Sequence, residues 1–174
     1  MLDNRNGTRH YGKYRGTVTD NNDPDGVGRL RAQVPDVFGN SPSGWALPAL
    51  PVAGAKMGAY LVPPVGSGVW IEFEQGDKDH PIWTGCWWGS KIEVPSPAQG
   101  VSAAISNLVL ATPGQNVLQV SDAPGPTGGL MLKHSSGAAI SVNDNGITLT
   151  NGKGAEIVLS GNSVNVNKGA LEVR

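Results

Sequence analysis

The chain has 174 residues, a formal net charge of −1 at pH 7, 25 glycines, 13 prolines and one cysteine. The near-zero charge leaves no electrostatic footprint for nucleic acid or an anionic membrane. Lone Cys86 excludes an intrachain disulfide framework, and no run of 18 apolar residues is present to cross a bilayer as a helix.

Abundant glycine and proline favour short strands and tight turns, so the expected class is all-β. Residues 1–11 read as an N-terminal arm without the apolar h-region of a signal peptide, so the protein is expected to be made in the cytoplasm. A first domain is expected over residues 12–90. Residues 14–19 and 28–34 form strand patterns around DNNDPDG, a loop dense in turn formers. Arg29, Arg31 and Gln33 alternate with Leu30, Ala32 and Val34, giving one wet face and one packed face. Residues 45–50 carry a proline and suit an edge strand. Residues 69–74 and 81–88 follow, joined by the polar turn QGDKDH. Five short strands in this span fit a small closed barrel, which removes sheet edges.

Residues 91–105 are expected to be a linker. Its proline-containing stretch EVPSPAQG disfavours helix, and helix signals are missing elsewhere as well. All ten aromatic residues lie between Tyr11 and Trp88, so residues 106–174 must pack with small and aliphatic side chains around something narrow. There an apolar–x–apolar triplet recurs eight times: Leu108/Leu110, Leu118/Val120, Leu130/Leu132, Ile140/Val142, Ile147/Leu149, Ile157/Leu159, Val164/Val166 and Leu171/Val173. Each triplet reads as a short strand with two side chains on one face, and runs of Gly, Asn, Asp and Ser turn the chain between them.

Strands this short bury only a strip and need neighbours to complete a core. A single-chain solenoid with coils of about 20 residues would make only about three turns. Three chains wound together fit better, each strand pairing with strands of the other two and all triplets facing a common axis. The result is an intertwined trimeric β-helix, a prism roughly 38 Å long. The expected trimerisation core includes Leu130, Leu132, Ile140, Val142, Ile147, Leu149, Ile157, Leu159, Val164, Val166, Leu171 and Val173.

No residue cluster earns a catalytic, cofactor or metal assignment. Asn21 to Gly26 superficially matches a calcium loop, but Ala32 stands where a bidentate Glu is required and no helices flank it. Asp77, Asp79 and His80 read as a solvated turn. His10, His80 and His134 lack ligand spacing. Gly152-Lys153-Gly154 reads as a turn and Cys86 as a small hydrophobe. Strand alternation places Trp83 and Trp87 on one face and Trp88 on the other, one face being core and the other an interface.

Several segments together resemble a known family. Gly16-Thr-Val-Thr-Asp20 and Asp23-Pro-Asp-Gly-Val-Gly-Arg-Leu-Arg-Ala-Gln-Val-Pro35 resemble the start of the OB-fold in bacteriophage baseplate spikes and in the valine-glycine repeat spike of type VI secretion. Pro63 to Asp77 and His80-Pro81-Ile82, with Gly85 and Trp88, are similar to later strands of that barrel. Ala111 to Leu118, Asp122, Leu130 and Ser135-Ser-Gly-Ala138 resemble the start of the family's triple-stranded β-helix.

The resemblance implies a non-enzymatic homotrimer at the centre of the baseplate of a contractile phage tail or injection particle. It would puncture the target envelope, touching the membrane transiently and binding no nucleic acid. A separate hub protein would sit on the OB side, with Trp87 and Trp88 as its interface. A PAAR-type tip protein, with or without effector cargo, would dock on Leu171, Glu172, Val173 and Arg174. No lysozyme-like domain is expected between barrel and prism, so the muramidase activity of some spikes is not carried over. The competing expectations are an envelope-degrading enzyme or a glycan-binding fibre segment.

Overall fold

The computed structural model describes residues 8–168 and 170–173. The described residues are all-β apart from a few single helical turns, and the chain divides into two compact units, Met1–Lys91 and Ile92–Arg174.

The first unit holds strands β1 (Tyr14–Asp20), β2 (Arg31–Gln33), β3 (Leu47–Pro48), β4 (Ala53–Gly54), β5 (Met57–Gly58), β6 (Gly68–Phe73) and β7 (Pro81–Trp87). Five of them form one sheet in the order β2-β1-β6-β7-β3, antiparallel except for β3 beside β7. Leu30 and Ala46 exchange backbone hydrogen bonds of 3.2 and 2.7 Å, tying the two edges together and closing the barrel. Alternation fills its interior: Val18, Leu30, Ala32, Val34, Ala46, Val69, Ile71, Phe73 and Trp83 are all buried. The Trp83 indole N–H donates to the Gly28 carbonyl at 3.0 Å, so its one polar atom is satisfied. The helical turn α1 (Pro35–Phe38), with proline at its start where no N–H is needed, sets Phe38 edge-on to Phe73.

The expected pairing of Trp83 and Trp87 on one face does not hold. Trp70 pairs with Gly85 and Ile71 with Trp83, so Thr84 is an extra residue in β7. This β-bulge reverses the alternation. Trp83 points into the core, whereas the Trp87 ring lies outside, 6.3 Å from that of Trp70. The Arg15 guanidinium stands over both rings. A Cβ on Gly68 would come within 2.6 Å of the Trp87 ring, so glycine makes room for the indole there.

The second unit begins with a helical turn, α2 (Ser96–Gln99), inside the connector that sequence reasoning left without helix. Pro97 is compatible because it sits in the first turn. Eight strands follow: β8 (Asn107–Ala111), β9 (Val117–Ser121), β10 (Gly129–Lys133), β11 (Ala139–Asn143), β12 (Gly146–Thr150), β13 (Glu156–Ser160), β14 (Ser163–Val166) and β15 (Leu171–Val173). Each carries one of the eight triplets. They make one antiparallel sheet in strict chain order. Within the chain, then, each strand pairs with the strands before and after it, where the sequence reading put the ladder partners on other chains. The cause is turn length. Asp144-Asn145 and Gly161-Asn162 are two-residue links between paired residues, Asn143 with Gly146 and Ser160 with Ser163. Links this short join adjacent antiparallel strands.

Candidate functional site

The eight triplets are in register. Leu110, Leu118, Leu132, Ile140, Leu149, Ile157, Val166 and Leu171 are successive cross-strand partners and form one column along the sheet. Leu108, Val120, Leu130, Val142, Ile147, Leu159 and Val164 form a second column beside it, and the Val173 backbone pairs with Val164. Residues opposite one another in an antiparallel pair point to the same face, so both columns share one face. Position Gly146 shows how tightly the register is set. Its φ is +121°, and a Cβ there would fall on the Leu159 carbonyl oxygen of the next strand.

This face is apolar and uncovered. Leu108, Leu130 and Leu132 each keep about half of their surface, at 52, 51 and 51%, and Ile157 keeps 40%. Ile147 and Val166 are half-buried. The opposite face is mixed, carrying Val109, Gln119, Met131, Ser141, Thr148, Val158 and Asn165 along its middle column. At its first strands that face is the covered one. Val117, Gln119 and Ser121 are buried. There the Gln119 side-chain N–H donates to Asn107 Oδ1 at 3.0 Å, and Asn107 Nδ2 donates to the Pro97 carbonyl at 3.2 Å. The connector thus folds over this mixed face and leaves the aliphatic one open. A sheet must bury its apolar face against another layer, and a contiguous apolar surface of this extent marks an interaction site. Completing the burial of a half-exposed aliphatic side chain contributes roughly 1 kcal/mol, repeated along two columns.

The remaining candidates stay apart. Asp23 organises its loop: its carboxylate accepts from the backbone N–H of Asp25, Val27 and Arg29 and from the Arg29 guanidinium, at 2.6–3.1 Å. The Arg29 hydrogen bond holds its carboxyl far below the ordinary range, as do the backbone donors. With Arg29 filling the loop from inside, these carboxylates serve the turn. Asp77 accepts from the Asp79 N–H and lies 3.5 Å from His80 Nδ1. That backbone bond keeps the Asp77 carboxyl below its ordinary value. His10 packs beside Tyr14 and Phe73, and His134 bonds Ser136 in the turn between β10 and β11. Among the described residues, no three His, Cys, Asp or Glu side chains converge on one point. Lys153 belongs to a turn in which Asn151 Oδ1 accepts from the N–H of Lys153 and Ala155. Cys86 is exposed, its thiol pushed up by partial desolvation.

Trp88 lies beyond the end of β7 with 62% of its surface exposed, and Trp87 is half-buried on the outer barrel face. Leu171 is exposed on the last strand; Arg174 lies outside the described residues. Sequence reasoning missed the β4–β5 hairpin, because its strands are only two residues long.

Two family models match the chain. Residues 14–88 match the type VI secretion system/phage-baseplate injector OB domain, and residues 107–172 match the phage baseplate V C-terminal trimerisation domain. The two matches coincide with the closed barrel and with the eight-stranded sheet. No curated protein matches the chain.

Proposed function

The chain belongs to the baseplate spike family of phage tails and type VI secretion systems, and from that premise we propose that it is the trimeric central needle of such a particle, piercing the target envelope mechanically. The observation that carries the reading is the uncovered, two-column aliphatic face of an aromatic-free sheet whose other face mixes polar and apolar residues. Three copies of a sheet about five residues wide enclose a narrow triangular space. Two aliphatic side chains per strand fill it where an indole or phenyl ring would not fit. Each chain supplies one wall, and the twelve residues from Leu130 to Val173 named above form the shared interior with the two triplets that precede them.

The hub protein docks on the barrel through Trp88 and the outward-facing Trp87, since exposed tryptophan is favoured in protein interfaces. The tip protein, with any effector cargo it bears, docks where the sheet ends, on Leu171, Glu172, Val173 and Arg174. As the last strand, β15 has a single strand neighbour in the sheet, so its outer edge offers backbone donors and acceptors to a partner.

Force transmission requires stiffness and no catalytic group. The protein is accordingly a structural part whose contact with the target membrane is transient. A zymogram of purified full chain on peptidoglycan tests this: the expected result is an intact layer, and a cleared zone would return the envelope-degrading enzyme as the better reading.

A further inference from the structure

The outer face of the barrel sheet carries arginines set on indole rings. Along β1 the alternation that buries Gly16 and Val18 leaves Arg15, Thr17 and Thr19 exposed on the outside. Arg31 and Gln33 flank buried Ala32 on β2, and Trp70 lies between buried Val69 and Ile71 on β6, so all three belong to the same outer face. In the ladder Gln33 and Gly68 stand opposite Thr17, and Trp70 stands opposite Arg15. The Arg15 guanidinium is 5.7 Å from the Trp70 ring centroid and 5.3 Å from that of Trp87. Arg29 and Arg31 are 5.6 and 4.9 Å from the Trp45 ring centroid. Such contacts occur about once per 70–80 residues, so three arginines on three tryptophans of one small barrel are a concentration that a closed core does not require.

The cations of this face differ in what else holds them. Arg29 is spent on Asp23 and Asp25, and Lys13 bonds Glu72 at 2.9 Å. Arg15 and Arg31 make no ion pair among the described residues. Asp20, opposite Arg31 in the ladder, gives Oδ1 to the Asn22 N–H, and Arg31 Nε meets no acceptor. The uncompensated charge is therefore positive and sits at two points five residues apart along β1, a distance of about 16 Å. Between them lie the uncharged hydrogen-bonding groups of Thr17, Thr19 and Gln33. A guanidinium held over an indole keeps N–H groups for an acceptor beside the ring, and a carboxylate is the side chain that matches it in charge and shape. We propose that an acidic segment of the hub protein lies along this track and pairs its carboxylates with Arg15 and Arg31. The inference rests on the docking of a hub on the barrel and adds the chemistry of the hub's side. A nucleic-acid strand, the other extended polyanion, needs open ring faces on which its bases stack. On Trp45, Trp70 and Trp87 a guanidinium already stands over the ring.

The test measures binding of fluorescein-labelled poly-L-glutamate to the purified full chain by anisotropy at low salt, alongside the molar mass of the chain. Saturable binding is expected, weakened at least about 10-fold in Arg15→Gln/Arg31→Gln. It should be nearly unchanged in Lys133→Gln/Lys153→Gln, which removes the same charge from exposed positions of the second unit. Arg15→Lys/Arg31→Lys, which keeps the charge should the glutamines disturb the barrel, is expected to bind more weakly than wild type, because lysine cannot make the paired hydrogen bonds. No binding by wild type would overturn the proposal. Equal weakening in the arginine and lysine-site variants would overturn it too, by reducing the effect to net charge. Tighter binding of labelled oligothymidylate would overturn it in favour of a nucleic-acid strand. The molar mass tests the needle separately: a monomeric wild type would contradict the trimer, while the barrel, a separate compact unit, still reports on the track.

Discussion

Ile147 stands near the middle of the apolar face, opposite Val142 on one neighbouring strand and Leu159 on the other. Already half-buried in its own sheet, it turns its remaining surface, in the proposed trimer, toward the space that three copies would enclose. Replacing it by aspartate puts three carboxylates around one axis, each without a partner, and burying unpaired charge costs several kcal/mol per group. Ile147→Asp is therefore expected to prevent trimer assembly, while the barrel, a separate compact unit, keeps its tryptophan fluorescence. Normal soluble trimer from this variant would refute the axial position of Ile147. Arg29 illustrates the opposite kind of residue. Its guanidinium closes the Asp23 loop and lies 5.6 Å from the Trp45 ring centroid. That loop resembles a cation site in sequence, yet its donors and acceptors are spent on each other.

At the scale of the element, what could be read from the sequence depended on whether a pattern repeats. The eight triplets were legible because a period of two, cut by Gly, Asn and Asp, identifies a strand and its buried side, and each became a strand of the sheet. The five barrel strands were legible for the same reason. The partner of each strand was a different matter. The two-residue links Asp144-Asn145 and Gly161-Asn162 carried the signal for hairpin pairing within the chain, but the repeat alone is equally compatible with pairing between chains. The face on which Trp87 lies was not legible, since the bulge at Thr84 inserts one residue without a distinctive composition. The helical turn at Ser96–Gln99 was hidden by Pro95 and Pro97, which forbid a helix interior and permit a first turn. The last strand, β15, supplies the element-scale test of the tip assignment. Deleting the final six residues is expected to abolish capture of a PAAR-type tip protein in a pull-down and leave the trimer intact. Full capture by the shortened chain would move the docking site elsewhere.

For the whole molecule, the two units divide the work. The barrel closes its own core around Trp83, Ile71 and Leu30 and can be complete in one copy. The sheet cannot, because one of its faces is aliphatic and open along all eight strands. Folding of the second unit and association are thus a single event, and the unit's stability depends on chain concentration. Three sheets sharing one dry interior also separate slowly, since no wall leaves without exposing two columns of side chains on each of the others. On the proposed needle reading, such kinetic resistance is what a part driven through an envelope under force would require.

The most direct test of this account is the molar mass of the purified full chain by light scattering, before and after mild detergent. The account predicts a mass three times the 18.0 kDa of one chain, unchanged by detergent. A folded monomer of 18.0 kDa with its sheet intact would show that the apolar face needs no other copy, and would contradict the needle.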